Sequence, residues 1–185
     1  LDGVTGVQTC ALPILPRTGW ALRGVAAPES VAAHAHGTAL VALALLELVD
    51  EPLDRARALA MAVLHDLPEC VTGDWPAAAG RLLPPGAKAA AEGAALASLL
   101  AGQPFAGVWR DLWREYDERR TPEARLVRDA DRLDLLLQAL VYERTTGHRD
   151  LGEFWEGAAG EPFAFPASAA LAEALGTLRQ DTEIK

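Results

Sequence analysis

The sequence predicts an all-α domain of about six or seven helices, and three observations carry that expectation. Half of the 185 residues are hydrophobic and 6% are aromatic, and alanine, the strongest helix former, is abundant. Apolar residues recur at helical spacing in several segments, and nowhere alternate with the period of two that a half-buried strand needs. Helix start and stop signals bracket several of those segments. A chain of this length suits one domain with its own core.

The first fourteen residues, LDGVTGVQTCALPI, lack periodicity and a signal-peptide pattern. They read as a non-native or disordered segment, so the domain is expected over 15–185. Residues 15–28 form a loop-like entry punctuated by Pro and Gly. Ser30 is a good N-cap for a helix over 31–49, which places His34, Thr38, Val41, Leu45 and Leu48 on one face. Asp54 caps a second helix, apolar on nearly all sides over 58–64 and therefore central. His65 and Asp66 close that helix, because Pro68 disfavours α geometry at Leu67. A carboxylate is unfavourable at a helix C-terminus, so Asp66 needs a cation. The segment LPECVTGDWP reads as a turn-rich loop. Further helices are expected over 87–101 and 105–119, the latter with Trp109, Leu112, Trp113 and Tyr116 as its apolar stripe. Thr121-Pro122-Glu123 is a strong helix start, and Gly147 stops that helix after 146. An aromatic-rich connection over 151–165 leads to a last helix over 168–178.

On the long helix, 100° per residue puts Val127, Asp131, Asp134, Gln138 and Val141 on one face. Asp129 falls with Arg125, Arg132 and Glu143 on the opposite, wet side. A buried-face acid must find a cation or dense hydrogen bonding. The formal charge of −9 argues against nucleic-acid polymers and anionic membranes as partners. A small phosphorylated substrate requires a metal and a local Arg to reverse the field. Two cysteines, Cys10 and Cys70, give no disulfide framework, which favours a cytoplasmic setting. No apolar run approaches the roughly 20 residues of a membrane span.

Three stretches belong together: ESVAAHAH around His34, LHDLPECVTGD, and LVRDADRLD around Asp131. They resemble the HD-domain superfamily of metal phosphohydrolases. LPRTGW, HDxPE and TGD narrow the likeness to the bacterial 5′-deoxynucleotidase type and its eukaryotic relatives, over about 15–155. The resemblance implies a single HD-domain helical bundle holding one divalent metal ion, Co, Mn or similar, on His34, His65, Asp66 and Asp131. It implies Glu69 and Asp74 as catalytic residues: Glu69 to orient or deprotonate water and protonate the leaving oxygen, Asp74 to contact the sugar and water network. From LPRTGW it implies Arg17 as the phosphate grip and Trp20 as a second substrate contact. A homodimer is implied as well. Ala33 departs from the family's usual Glu before the first His, which bears on helix capping.

The resulting expectation is hydrolysis of (deoxy)ribonucleoside 5′-monophosphates to nucleoside and phosphate. Two alternatives stay open at this point. One is an HD phosphohydrolase acting on a triphosphate or a cyclic diester. The other is a non-catalytic helical module with a vestigial metal site.

Overall fold

Residues 14–148 and 150–183 are described by a computed structural model. The helices are α1 (Thr18–Leu22), α2 (Val31–Leu48), α3 (Arg55–Leu64), α4 (Glu69–Thr72), α5 (Ala77–Gly80), α6 (Ala87–Leu99), α7 (Ala106–Asp117), α8 (Pro122–Thr146), α9 (Gly152–Ala159) and α10 (Pro166–Glu183). Seven of these have eight residues or more and three are shorter pieces. Among the described residues there is no strand, only an isolated antiparallel bridge between Pro16 and Ser30. The expectation for residues 1–14 lies outside the described residues, apart from Ile14.

Local chemistry sets the helix ends much as the sequence suggests. The Ser30 side chain accepts from Ala33 N, Asp54 from Arg57 N, and Thr121 from Ala124 N. Gly147 ends α8 in the left-handed region at φ 68°, where a side chain would be strained. The 151–165 connection holds one helix more than expected, α9, and the last helix is longer than the 168–178 expected.

The 25-residue α8 is the spine of the bundle. Packed against it are α2, α3, α7, α9 and α10, while α6 leans on α7. Leu45, Met61, Leu96, Leu126 and Val127 fill the main core, all 1% exposed or less. Full burial of such a side chain contributes about 1.5–3 kcal/mol. A second cluster joins Trp20, Val25, Ala139, Tyr142 and Leu151 at the other end of α8.

Five expectations need correction. Asp129 and Arg132 are buried, not wet, because the segment after α9 folds over that side of α8. Asp129 accepts from Ala164 N and Phe165 N, and Arg132 donates to Pro162, Ala158 and Glu161 carbonyls. Val141, placed on the buried face, is 42% exposed. On α2 the buried arc runs through Val31, His34, Thr38, Ala42 and Leu45. It is centred between His34 and Ala42, so Leu48 falls outside it. On α3 the apolar side chains do not all turn inward, and Val63 is exposed. Contrary to the sequence reading, α2 is long and apolar enough to cross a membrane, with mean hydropathy 1.5 over 18 residues. It packs against α3 and α8 and carries the buried His34.

Candidate metal centre

Three separate elements bring the expected donor side chains together: donor atoms of His34, His65 and Asp66 all lie within 4.8 Å of one another, and Asp131 meets them at His34. His34 comes from the second turn of α2, His65 and Asp66 from the end of α3, and Asp131 from the middle of α8. His34 Nε2 lies 3.1 Å from Asp131 Oδ1, 3.5 Å from Asp66 Oδ2 and 3.4 Å from His65 Nε2. His65 Nε2 is 3.2 Å from Asp66 Oδ2. Donors about 2.1 Å from one ion, at tetrahedral or octahedral angles, stand about 3.0–3.4 Å apart. The donor atoms of His34, His65 and Asp66 could hold a single borderline divalent ion, with Asp131 beside His34.

The outer atoms of these side chains are tied down. His65 Nδ1 is 2.8 Å from the Ala62 carbonyl, so Nδ1 carries the proton and Nε2 faces the centre. His34 Nδ1 lies 2.8 Å from Asp134 Oδ2, with the same consequence. Asp134 reaches His34 only because position 37 is glycine: a Cβ there would collide with the Asp134 carboxylate. Asp131 Oδ2 accepts from Tyr116 Oη at 3.0 Å and from Arg128 Nη1 at 2.7 Å. The Tyr116 ring also meets the His65 ring edge-on, with centroids 5.2 Å apart.

Charge in the metal-free site is strongly coupled. Burial and the Arg17 charge oppose protonation of His34, but Asp131 and Asp134 outweigh them and push it up to about 10. Burial works against ionisation of Asp66, yet His65, His34 and Arg17 bring it below the usual carboxylate range. Asp131 is likewise lowered, by the His34 hydrogen bond and by Arg128, against the effect of burial.

Glu69, three residues beyond Asp66, is 2% exposed. Burial, then the Asp66 and Asp74 charges, push it up to about 9, despite Lys88 Nζ at 3.6 Å from its Oε1. Its Oε2 is a buried oxygen with no hydrogen-bond partner among the described residues. Such an orphan calls for a partner supplied from outside the chain.

Arg17 reaches the centre from the entry loop, with Nη1 3.1 Å from Asp66 Oδ2 and 3.7 Å from Asp74 Oδ1. Asp74 Oδ2 also accepts from Thr18 N. The loop is held on its other side, where Arg17 N donates to the Glu29 carbonyl at 2.9 Å. Trp20 departs from its expected place at the substrate. It is 1% exposed, packed on Phe154 and Tyr142, with Nε1 donating to Glu29 Oε1 at 2.9 Å. Its large apolar ring belongs to the core and steadies the Arg17 loop from behind.

His65, Asp66, Glu69, Asp74, Arg17 and Asp131 line one cavity of about 1370 Å³, with Lys88, Tyr116 and Arg128 also on its wall. This is ample for a mononucleotide, since small-ligand sites span roughly 300–1,000 Å³. Sequence reasoning placed Asp134 on the buried face beside Asp131 but missed the other partners. Arg128 was detectable as a charged neighbour three residues before Asp131, whereas Tyr116 and Lys88 come from other helices and carried no such signal.

The fold and the donor geometry are those of a helical metal-site domain. The HD-domain family model matches residues 12–159, and the chain belongs to that family. The 5′-deoxynucleotidase HDDC2 of Xenopus laevis is 36% identical over 165 residues, covering 87% of this chain and 79% of that protein. The 5′-deoxynucleotidase hdd1 of Schizosaccharomyces pombe is 32% identical, covering 79% of this chain and 75% of its own. Among solved structures, the PH0347 protein of Pyrococcus horikoshii OT3 superposes with a TM-score of 0.75 at 38% identity, covering 97% of this chain and 98% of that one.

Proposed function

We propose that the protein is a metal-dependent 5′-deoxynucleotidase, releasing phosphate from nucleoside 5′-monophosphates. One observation carries the reading. His65, Asp66 and Asp131 line one cavity together with the buried Glu69 and with Arg17, while His34 lies sealed behind them, in a chain whose similar relatives are 5′-deoxynucleotidases.

His34, His65, Asp66 and Asp131 would hold one divalent ion, whose identity the donor set leaves open between cobalt, manganese and similar metals. When bound, the ion lowers the pKa of water and offsets charge on a phosphoryl oxygen. The residues of the chain supply the rest. Arg17, steadied by Asp66 and Asp74, presents a forked cation to a phosphate monoester. Glu69, buried beside the donors, is placed to orient the attacking water and to pass a proton to the departing sugar oxygen. Asp74 fixes the Arg17 loop and lines the cavity, within reach of a sugar hydroxyl. Trp20 acts through that same loop.

A cytoplasmic homodimer belongs to this reading. The outer side of α2 supports the dimer, because Leu40, Leu43 and Leu48 stand 54%, 37% and 55% exposed along one helix.

The test is phosphate release from ribo- and deoxyribonucleoside 5′-monophosphates with several divalent ions, for the wild type and Glu69→Ala. Turnover by the wild type that Glu69→Ala loses, while still taking up metal, is the expected result. Hydrolysis confined to triphosphates or cyclic diesters would overturn the substrate class. Turnover unchanged in Glu69→Ala would overturn the catalytic assignment.

A further inference from the structure

We propose that Tyr116 is a positioning residue of the metal centre, holding Asp131 to coordination through one oxygen and fixing the plane of His65. The inference rests on the reading of His34, His65, Asp66 and Asp131 as ligands.

Asp131 has two oxygens, and the structure gives them different work. Oδ1 faces His34, 3.1 Å from its Nε2. Oδ2 carries two donors, Tyr116 Oη at 3.0 Å and Arg128 Nη1 at 2.7 Å. A carboxylate held this way cannot swing to chelate an ion with both oxygens without giving up both bonds. The same tyrosine lies edge-on to His65 at 5.2 Å between centroids and 66° between planes. The far side of that imidazole is pinned by the Ala62 carbonyl. One side chain from α7 thus braces a donor from α3 and a donor from α8, while α7 itself provides no ligand.

The chemistry of the residue points the same way. On α7, Leu112 and Trp113 serve the core with purely packed side chains, and a phenylalanine at 116 could do so too. A hydroxyl placed in such a setting costs desolvation unless it is paired, and here its partner is the non-coordinating oxygen of a metal ligand. Arg128, one turn before Asp131 on the same helix, reinforces that oxygen with a charge-assisted bond.

The experiment uses purified, metal-free full-length protein, with Mn2+ titrated calorimetrically and Co2+ followed by its visible absorption. Tyr116→Phe keeps the ring against His65 and removes only the bond to Asp131. It should bind Mn2+ about tenfold more weakly or worse, the usual loss on removing an outer partner of a metal ligand. Its Co2+ bands should change in intensity as Asp131 becomes free to chelate, while the melting midpoint of the metal-free protein stays put. Wild-type Mn2+ affinity and wild-type Co2+ bands in Tyr116→Phe would overturn the proposal. Should that variant not fold, Arg128→Met, which unloads the same oxygen, decides by the same two readouts. Wild-type protein that takes up neither ion would bring down the ligand assignment itself, and this inference with it.

Discussion

His34 is sealed from solvent and uses both ring nitrogens, Nδ1 toward Asp134 and Nε2 toward the ligand cluster. That arrangement depends on a missing atom. A methyl group at Gly37 would push the Asp134 carboxylate off the imidazole. Gly37→Ala should therefore weaken metal binding by about 10–100-fold, read by calorimetry, and unchanged affinity would show that Asp134 does not orient His34. Protonation gives a second expectation at this scale. In the metal-free fold His34 is raised from 6.5 to about 10 and Glu69 from 4.5 to about 9. Both keep protons that the unfolded chain gives up, so their favourable contribution is complete below the unfolded values and is lost as pH rises toward 9–10. A metal held by His34 would displace that proton and so bind better as pH rises. Scanning calorimetry from pH 6 to 9 should show the metal-free midpoint falling and the metal-induced rise in midpoint growing. A metal-free midpoint that climbs across that range contradicts the account.

Helices were the most legible part of the chain, since each signal is local: Ser30, Asp54, Thr121-Pro122 and Gly147 mark ends within one turn. Which side of a helix is buried was less legible, because that depends on what packs against it. Asp129 and Arg132 read as solvent-facing from the period of α8, and are buried because the distant segment 158–165 lies over them. Val141 and Leu48 err in the opposite sense, reading as buried where no neighbour covers them. The Asp129 anchor can be measured. Asp129→Ala strips the acceptor from two backbone amides, and should cost about 2–3 kcal/mol in urea unfolding. A loss below about 0.5 kcal/mol, the range of ordinary surface changes, would mean that Asp129 does not anchor the segment.

At the scale of the whole molecule, an acidic protein of net charge −9 gathers Arg17, Lys88 and Arg128 on one cavity wall. The same wall carries Asp66, Glu69, Asp74, Glu92 and Asp131, so a phosphate ester would need the charge of a bound metal as well as these cations. The four candidate donors were legible in the sequence as an ordered set, because their motifs are short and distinct. Partners from other helices were not, since Tyr116 reaches Asp131 from α7 and Lys88 reaches Glu69 from α6, and no local spacing encodes such meetings. Assembly belongs to this scale too. Light scattering should give a dimer for the wild type and a monomer for Leu40→Glu combined with Leu43→Glu. A dimer that survives both changes would place the interface away from α2.

The central claim is the meeting of His34, His65, Asp66 and Asp131 around a single divalent cation. Anomalous diffraction from crystals grown with Mn2+ or Co2+ tests it most directly. The account predicts one peak about 2.0–2.2 Å from His34 Nε2, His65 Nε2 and an oxygen of each aspartate. A peak that leaves out His34 or Asp131, or no peak in the cavity at all, would contradict it.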